Sequence, residues 1–500
     1  MTTLCYLPMP RFPTAALLLV LTGLVAGCTV GPAYRSPAVD VPHAYRGHKV
    51  LAAGTPAAPA VRTDLAAWWT RFDDPRLGRF VEAALQQNLD LAQAFARVQQ
   101  ARAGLAAANA ALAPSAGVAA QGARNYSSLE TPLGRVLDTM PGFARYGSAY
   151  EANATASWEL DLFGGLRRTR EAAVADYQAS DAAAAAVRLA VAAQVADTYI
   201  QIRGLQARLG VAREQVRTQQ QLRETVALRW KKGLAPELQL RQAEGALHRA
   251  QATVPPLEQA LEAAMNALDV MLGTAPGTHR AELADPRPVP GLPVLALNGT
   301  PADLLKERPD LIAAERRLAA SNARIGAAMA EYYPKISLTG LIGSATSVSS
   351  GNLFSGGAAQ AGAGAGLRWR LFDFGRIDAQ IDQARAQEAE TLAAYRQAVL
   401  RATEDVENAL IALDRKQALL SVLDQGADSL ARARRSSGAA YDRGVVSLIE
   451  VLQADESLLG VQDAQAVART ESARAVVALF KALGGGWTAA QPAAVAAAGH

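Results

Sequence analysis

Two hydrophobic periodicities alternate along this chain, and the alternation occurs twice. From Asp74-Pro75 the apolar positions Leu77, Phe80, Val81, Ala84, Leu85, Leu89, Leu91 and Ala92 keep helical spacing toward Ala113, and Pro114 ends the run. The period then falls to two. Between Ala149 and Leu162, Tyr150, Ala152, Ala154, Ala156, Trp158, Leu160 and Leu162 are apolar, whereas Glu151, Asn153, Thr155, Ser157, Glu159 and Asp161 are polar. This alternation predicts a half-buried strand of membrane-spanning length, with one strand of a soluble sandwich as the plainer alternative. Further on, a helical pattern from Pro301 to Tyr333 stops at Pro334. Ile336, Leu338 and Ile342 follow, then a glycine-serine loop from about Gly343 to Gly366, then Leu367, Trp369 and Leu371 alternating with Arg368 and Arg370. Each half of the chain thus predicts one hairpin.

Long helices follow both hairpins. From Gly375 to about Tyr441 the positions Ile377, Ile381, Ala384, Tyr395, Val399, Val406, Leu410, Leu413, Leu419, Leu420 and Leu423 keep helical spacing without a proline. At 1.5 Å per residue such a helix is roughly 90 Å long and needs a coiled-coil partner. The matching helix runs from Leu166 to Trp230, with an irregularity expected at Gly204, and returning helices at about 235–272 and 445–483 supply the partners. The turns Trp230-Lys231-Lys232-Gly233 and Tyr441-Asp442-Arg443-Gly444 each end in a glycine able to close a helix.

These parallels are a tandem duplication. Trp158 and Trp369, Phe163-Gly164 and Phe374-Gly375, Gly233 and Gly444, and Gln242-Ala243 and Gln453-Ala454 share an offset of 211 residues. Upstream, Asp90-Leu91 with Asp310-Leu311 and Pro114 with Pro334 share an offset of 220, so the first copy carries about nine extra residues between Pro114 and Trp158. The expected organisation is a signal peptide over 1–27, a proline-rich extended tether over 28–73 and a first repeat over 74–272 with its hairpin at about 115–162. A linker over 273–298, a second repeat over 299–484 with its hairpin at about 335–373, and a mobile alanine-rich tail over 485–500 complete it.

At the start, Arg11, an apolar run from Thr14 to Ala26 and the small residues before Cys28 form an export signal. Cys28 resembles the acylated cysteine of bacterial lipoproteins, which implies a covalent amino-terminal lipid and no other cofactor. Cys5 leaves with the signal, so no intramolecular disulfide can form. By the same resemblance, Thr29 and Val30 in place of an aspartate favour the outer membrane. The net charge of +4 is well mixed and shows no basic block for nucleic acid. Alanine-rich runs such as Ala182–Ala186 permit close helix packing. None of the five histidines forms a spaced ligand cluster, and there is no zinc motif, nucleophile elbow or phosphate loop, so an enzyme is not expected.

Four strands cannot close a membrane barrel, because open edges leave backbone groups unpaired in lipid. Several chains must therefore share one barrel. With Trp158 and Trp369 toward lipid, Glu151, Glu159, Asp161, Arg368 and Arg370 line a polar lumen.

Together these features resemble the outer membrane factor family, the lipidated channels of tripartite efflux pumps. The resemblance rests on Cys28 to Pro37, Trp68-Trp69-Thr70-Arg71-Phe72, Asp74 to Leu77, Asn88 to Leu91, Arg308-Pro309-Asp310, the Trp158 and Phe374-Gly375 strand ends, and Tyr441 to Ala454. It implies a mainly α fold with membrane β: a homotrimer whose twelve strands form one barrel in outer membrane lipid, continued by a periplasmic helical barrel. The implied partners are a periplasmic adaptor (membrane fusion protein) and an inner membrane transporter of the RND type. Also implied is a closed iris at the inner tip. Tyr441 matches a tyrosine of that iris, Val446 falls where an arginine would be, Glu450 and Gln453 fall on two aspartate positions, and Gln239 matches an aspartate partner. Glu450 is the expected constriction residue, repeated three times in an acidic ring, with an ordinary solvated helix glutamate as the alternative. Arg241 is placed to neutralise a neighbouring carboxylate. Trp230, Lys231, Lys232, Gly233, Asp442, Arg443 and Gly444 are candidates for adaptor contact, although Trp230 could simply fill the core. A type I secretion channel and a lipid-anchored periplasmic coiled-coil scaffold are the competing readings. The exported substrate is left open, and Met140, Met265, Met271 and Met329 form no cluster for a soft metal ion.

Overall fold

A computed structural model describes residues 29–38, 67–293 and 307–485. Cys28, the signal segment, most of the tether and most of the tail lie outside the described residues. In chain order the elements are α1 (Pro75–Gln87), α2 (Leu89–Ala110), β1 (Ser115–Tyr126), α3 (Pro132–Asp138), β2 (Tyr146–Leu160) and α4 (Gly165–Lys231). They continue as α5 (Glu237–Ala252), α6 (Val254–Met271), α7 (Arg280–Leu283), α8 (Pro309–Met329), β3 (Lys335–Thr346), β4 (Ala359–Arg368), α9 (Arg376–Asp442) and α10 (Leu448–Ala482). Both α4 and α9 are 67 residues long.

The chain divides into two compact units. Among the described residues, one comprises 29–37, Gln99–Gln178 and Glu315–Ala393, and the other 38, 67–98, 179–293, 307–314 and 394–485. The first holds an antiparallel sheet in the order β1-β2-β3-β4. Its register pairs Gln121 with Glu151, Asn153 with Gly343, and Lys335 with Arg368. Both tryptophans at the strand ends are tied identically: the Trp158 indole N–H donates to Leu112 O and that of Trp369 to Tyr332 O, each at 2.9 Å. The residues after Cys28 form a strap in this unit. Arg168 donates through Nε to Val30 O at 3.1 Å and through Nη2 to Gly31 O at 3.2 Å, and the Tyr34 hydroxyl donates to Glu315 Oε1 at 2.6 Å. Gly31 crosses Gly326 so closely that a Cβ at Gly31 would stand 2.4 Å from the Gly326 Cα.

The second unit is built on a large apolar core. Trp68 stacks on Phe480 with centroids 5.2 Å apart, amid Leu77, Phe80, Tyr199, Leu268 and Leu283. Several residues carrying the family resemblance are structural here. Asp74 caps α1 through Arg76 N and Leu77 N and accepts from the Tyr199 hydroxyl at 2.8 Å. Asn88 divides α1 from α2, accepting from Leu91 N and donating to Met271 O. Arg308 donates to Ala402 O and Ala482 O and pairs with Asp310 and Asp405, joining α8, α9 and α10. Burial alone would lower its pKa, but the two carboxylates outweigh this and raise it.

Four expectations need correction. Gly204 does not interrupt α4; it makes room for α10, since a Cβ there would lie 2.2 Å from Thr470 Oγ1. The first returning helix is not single, because Pro255 and Pro256 lack the N–H groups that would continue it and the helix breaks at Thr253. Half of the expected glycine-serine loop is strand: Gly343–Thr346 ends β3, and β4 is the alanine-glycine run from Ala359. Trp369 and Leu371 fall beyond β4. The extra residues of the first copy fall in the region of the β1–β2 connection, which holds α3.

Candidate gate and channel lining

The helical tips are assembled by the same local rule in each copy. Gly233 and Gly444 take left-handed φ values of 72° and 75°. Leu234 N then reaches back to Arg229 O at 2.8 Å, and Val445 N to Ala440 O at 2.9 Å, so carbonyls left over at the helix end are satisfied. Trp230, Lys231, Lys232, Gly233, Asp442, Arg443 and Gly444 are all exposed. At 42% exposure Trp230 is not core filling.

Behind the turns, Tyr441 is 6% exposed and packs with Val226, Leu240, Ala243, Leu448 and Val451. The Arg229 guanidinium lies over its ring at 4.6 Å, a cation–π contact. Its buried hydroxyl has no hydrogen-bond partner among the described residues. Glu450 occupies the third position of α10, where its carboxylate accepts from Ser447 N at 2.8 Å while the Ser447 side chain accepts from the Glu450 backbone. This reciprocal cap gives Glu450 a local task at the positive end of a helix. Gln239 is its counterpart at the offset of 211 residues and stands third in α5, but there the cap position is Pro236 and no side-chain cap forms. Gln453 is exposed one turn further along α10. Arg241 pairs with Glu237 at 2.9 Å and Glu244 at 3.0 Å, and these bonds raise its pKa. Among the described residues, no hydrogen bond joins Tyr441 to Gln239, Arg241, Glu450 or Gln453.

A deeper polar cluster at this end escaped the sequence reading. Asp455 is 2% exposed and accepts from Arg434 Nε at 2.9 Å and Gln219 Nε2 at 3.4 Å. Three helices, α9, α4 and α10, meet at this carboxylate. A charged residue midway along a helix looks like solvated surface in sequence, and only the fold shows it enclosed.

On the sheet, Glu151 accepts from Gln121 Nε2 at 2.8 Å and is also bonded by Asn153 Nδ2. Asn153 Oδ1 in turn accepts from Gln360 Nε2 at 2.7 Å, across Gly343. These four side chains make a polar row over one face; the period of two found Glu151 and Asn153 but not Gln121 or Gln360. Glu159 is half-buried on the same face, opposite Ser337. Asp161 is engaged differently: it caps α4 through Leu166 N at 3.0 Å and Arg167 N at 2.8 Å. Arg370 pairs with Glu331, which also takes Lys335, while Arg368 is exposed beside Lys335. Among the described residues no cluster could hold a metal ion.

A strand pair and a long helical hairpin, repeated in tandem, with no further strand on the sheet's outer edges among the described residues, define a class of proteins that join a small sheet to extended helices. The chain belongs to the outer membrane efflux protein family, whose model matches residues 80–274 and 300–485. It is 33% identical to the outer membrane protein OprJ of Pseudomonas aeruginosa over 96% of this chain and 96% of that one. With the toluene efflux pump outer membrane protein TtgF of Pseudomonas putida it shares 31% identity, over 95% and 97% of the two chains. The solved outer-membrane channel OprN superposes with a TM-score of 0.82 at 31% identity, covering 92% of this chain and 100% of that one. The protein is thus an outer membrane efflux channel component with the duplicated architecture expected from its sequence.

Proposed function

We propose that three copies of this chain close one twelve-stranded barrel and form the passive exit duct of a tripartite pump, fed by a periplasmic adaptor and an inner membrane transporter of the RND type. The observation that carries this reading is the four-stranded sheet whose edge strands β1 and β4 have no further partner among the described residues. Such edges are tolerable in lipid only when paired with another chain. On this reading Glu151, Glu159, Arg368 and Arg370 line the lumen, and Asp161 stands at its lower rim as a helix cap. Tyr441, Glu450, Gln453, Gln239 and Arg241 surround the periplasmic gate. The exposed turns Trp230–Gly233 and Asp442–Gly444 receive the adaptor. A lipid on Cys28 holds the strap end at the membrane, as the grip of Arg168 on the Val30 and Gly31 carbonyls supports. The solutes carried are drugs or other toxic compounds.

The test is single-channel conductance in a planar bilayer, with subunits counted in the same detergent sample. A trimer with low leak and rare, voltage-promoted opening is expected. A monomer that never inserts would overturn the reading.

A further inference from the structure

The duplication lets one hairpin serve as the control for the other. In the first copy Ser115 stands opposite Ser157 and donates to its carbonyl oxygen at 3.2 Å. At the offsets of 220 and 211 residues, the counterparts of these serines are Lys335 and Arg368, again directly opposite each other. Two more changes accompany them: Ala111 corresponds to Glu331, and Glu159 to Arg370. Neutral serines therefore suffice for the strand pairing at this place, and like charges directly across a strand pair oppose it. The fold does not call for the charges of the second copy.

Those charges surround a cavity of about 250 Å³ lined by Glu331, Tyr333, Lys335, Arg368 and Arg370. Glu331 is its one carboxylate and is shared by Lys335 and Arg370. Among the described residues Arg368 forms no ion pair. On the other side of Lys335, Asp161 is occupied by Arg167 and the cap of α4. Assigning Glu159, which lines that neighbouring cavity, to Lys335 still leaves Arg368 without a counter-charge. A second copy of the chain does not supply one. Trp158 of β2 is opposite Leu338 of β3, and their counterparts are Trp369 and Val118. Extending the sheet by this rule sets Val118 of the partner subunit opposite Trp369, and Ala119 of the partner subunit opposite Arg368. Ala119 shares a face with Gln121, as Arg368 does with Gln360, so this register keeps the polar face continuous. Between Asp90 and Glu130 the chain has no acidic residue to bring to Arg368.

We propose that this cavity is a transit site for organic anions, in which Arg368 and Lys335 hold the carboxylate of a passing solute and Tyr333 meets its apolar body. The proposal rests on the channel reading above and narrows its cargo. The guanidinium can bind a carboxylate through two parallel hydrogen bonds, while the ammonium adds a compact charge. Glu331 fixes Lys335 and Arg370 and leaves Arg368 to the solute. Tyr333 is braced from behind by Phe163, the ring centroids being 4.7 Å apart. All of the cations stay in reach of water, so binding is weak enough for the solute to leave, as conduction requires.

The experiment compares the unaltered chain, Arg368→Gln, Arg368→Lys and the exposed control Arg415→Gln as lipidated trimers opened by voltage in planar bilayers. It reads block of the open-channel current by sodium benzoate and by benzamide, which has the same shape without the charge. In the unaltered channel benzoate is expected to reach half-block at a concentration at least about tenfold below that of benzamide. Arg368→Gln should raise the benzoate value about tenfold and leave the benzamide value alone, and Arg368→Lys should raise the benzoate value about threefold. Arg415→Gln, whose side chain is 80% exposed on α9, is expected to change neither. Should Arg368→Gln fail to assemble, the contrast between benzoate and benzamide on the unaltered chain decides. No block by benzoate, equal block by the two compounds, or benzoate block untouched by Arg368→Gln overturns the site and leaves the channel standing. An unaltered trimer that never conducts overturns the channel itself.

Discussion

The two returning arms descend from one ancestral segment, yet one is a broken helix and the other a rod. α5 and α6 part at Thr253, whereas α10 runs 35 residues without interruption. At their starts, Pro236 leaves α5 without a side-chain cap, while the counterpart Ser447 completes a reciprocal cap with Glu450. The glycine turns joining the arms to α4 and α9 are nearly superposable in their backbone bonds. Duplication has preserved the turn and let the arms diverge in stiffness.

The sharpest way to break this comparison is to give the first copy a residue of the second. Gly204 corresponds to Arg415, whose side chain is 80% exposed, so Gly204→Arg inserts into packed α4–α10 surface what the other copy holds in solvent. A loss of at least about 3 kcal/mol is expected, seen as failed assembly or a collapsed denaturation midpoint. Next in size, Gly233→Ala and Gly444→Ala should each cost about 1–2 kcal/mol, and equally, because both replace glycine at a left-handed helix end. A large inequality in their denaturation midpoints would mean the turns are not equivalent. Ser447→Ala should cost about 1 kcal/mol, while Pro236→Ala changes little, since only the first removes a capping oxygen; amide exchange at the first turns of α10 and α5 measures the contrast.

The smallest effect concerns pH. Burial alone would raise the Glu471 pKa, but donation by Lys416 and Arg474 outweighs it and lowers the pKa, and Gln465 followed by Arg469 lowers that of Asp424. Lowered carboxylate values stabilise the fold above their unfolded pKa, and that contribution is lost as pH falls through the folded value. Heat-dissociation temperature should hold near neutrality and decline below about pH 4. Lys416→Met should flatten part of the decline; an unchanged slope would remove Glu471 from the account.

The sequence was legible wherever periodicity was strong. The long helices, the strand through Trp158 and the turns at Gly233 and Gly444 were all readable, because helix and strand periods repeat over many residues there. β4 was hidden because, after Gln360, Ala361 to Gly366 alternates alanine with glycine and carries no polarity contrast. Pro255 and Pro256 were in plain view, but the helical pattern on both sides outweighed them. Glu450 was visible as an acid near the tip, not as a cap. The enclosure of Asp455 and of Asn153 was invisible for a common reason: whether a polar residue is buried depends on which segments meet around it, and sequence does not say which segments meet.

The strap also has a place in time. Residues 29–34 are synthesised before most of the chain, but their seat is made from Phe163, Arg168, Glu315 and Gly326. The first described residues of the chain must therefore wait for residue 326 before their seat is complete. A truncated or stalled product would carry its leading end half seated, on Phe163 and Arg168 alone, so full docking of the strap acts as a completion mark written by the far half of the polypeptide onto its beginning.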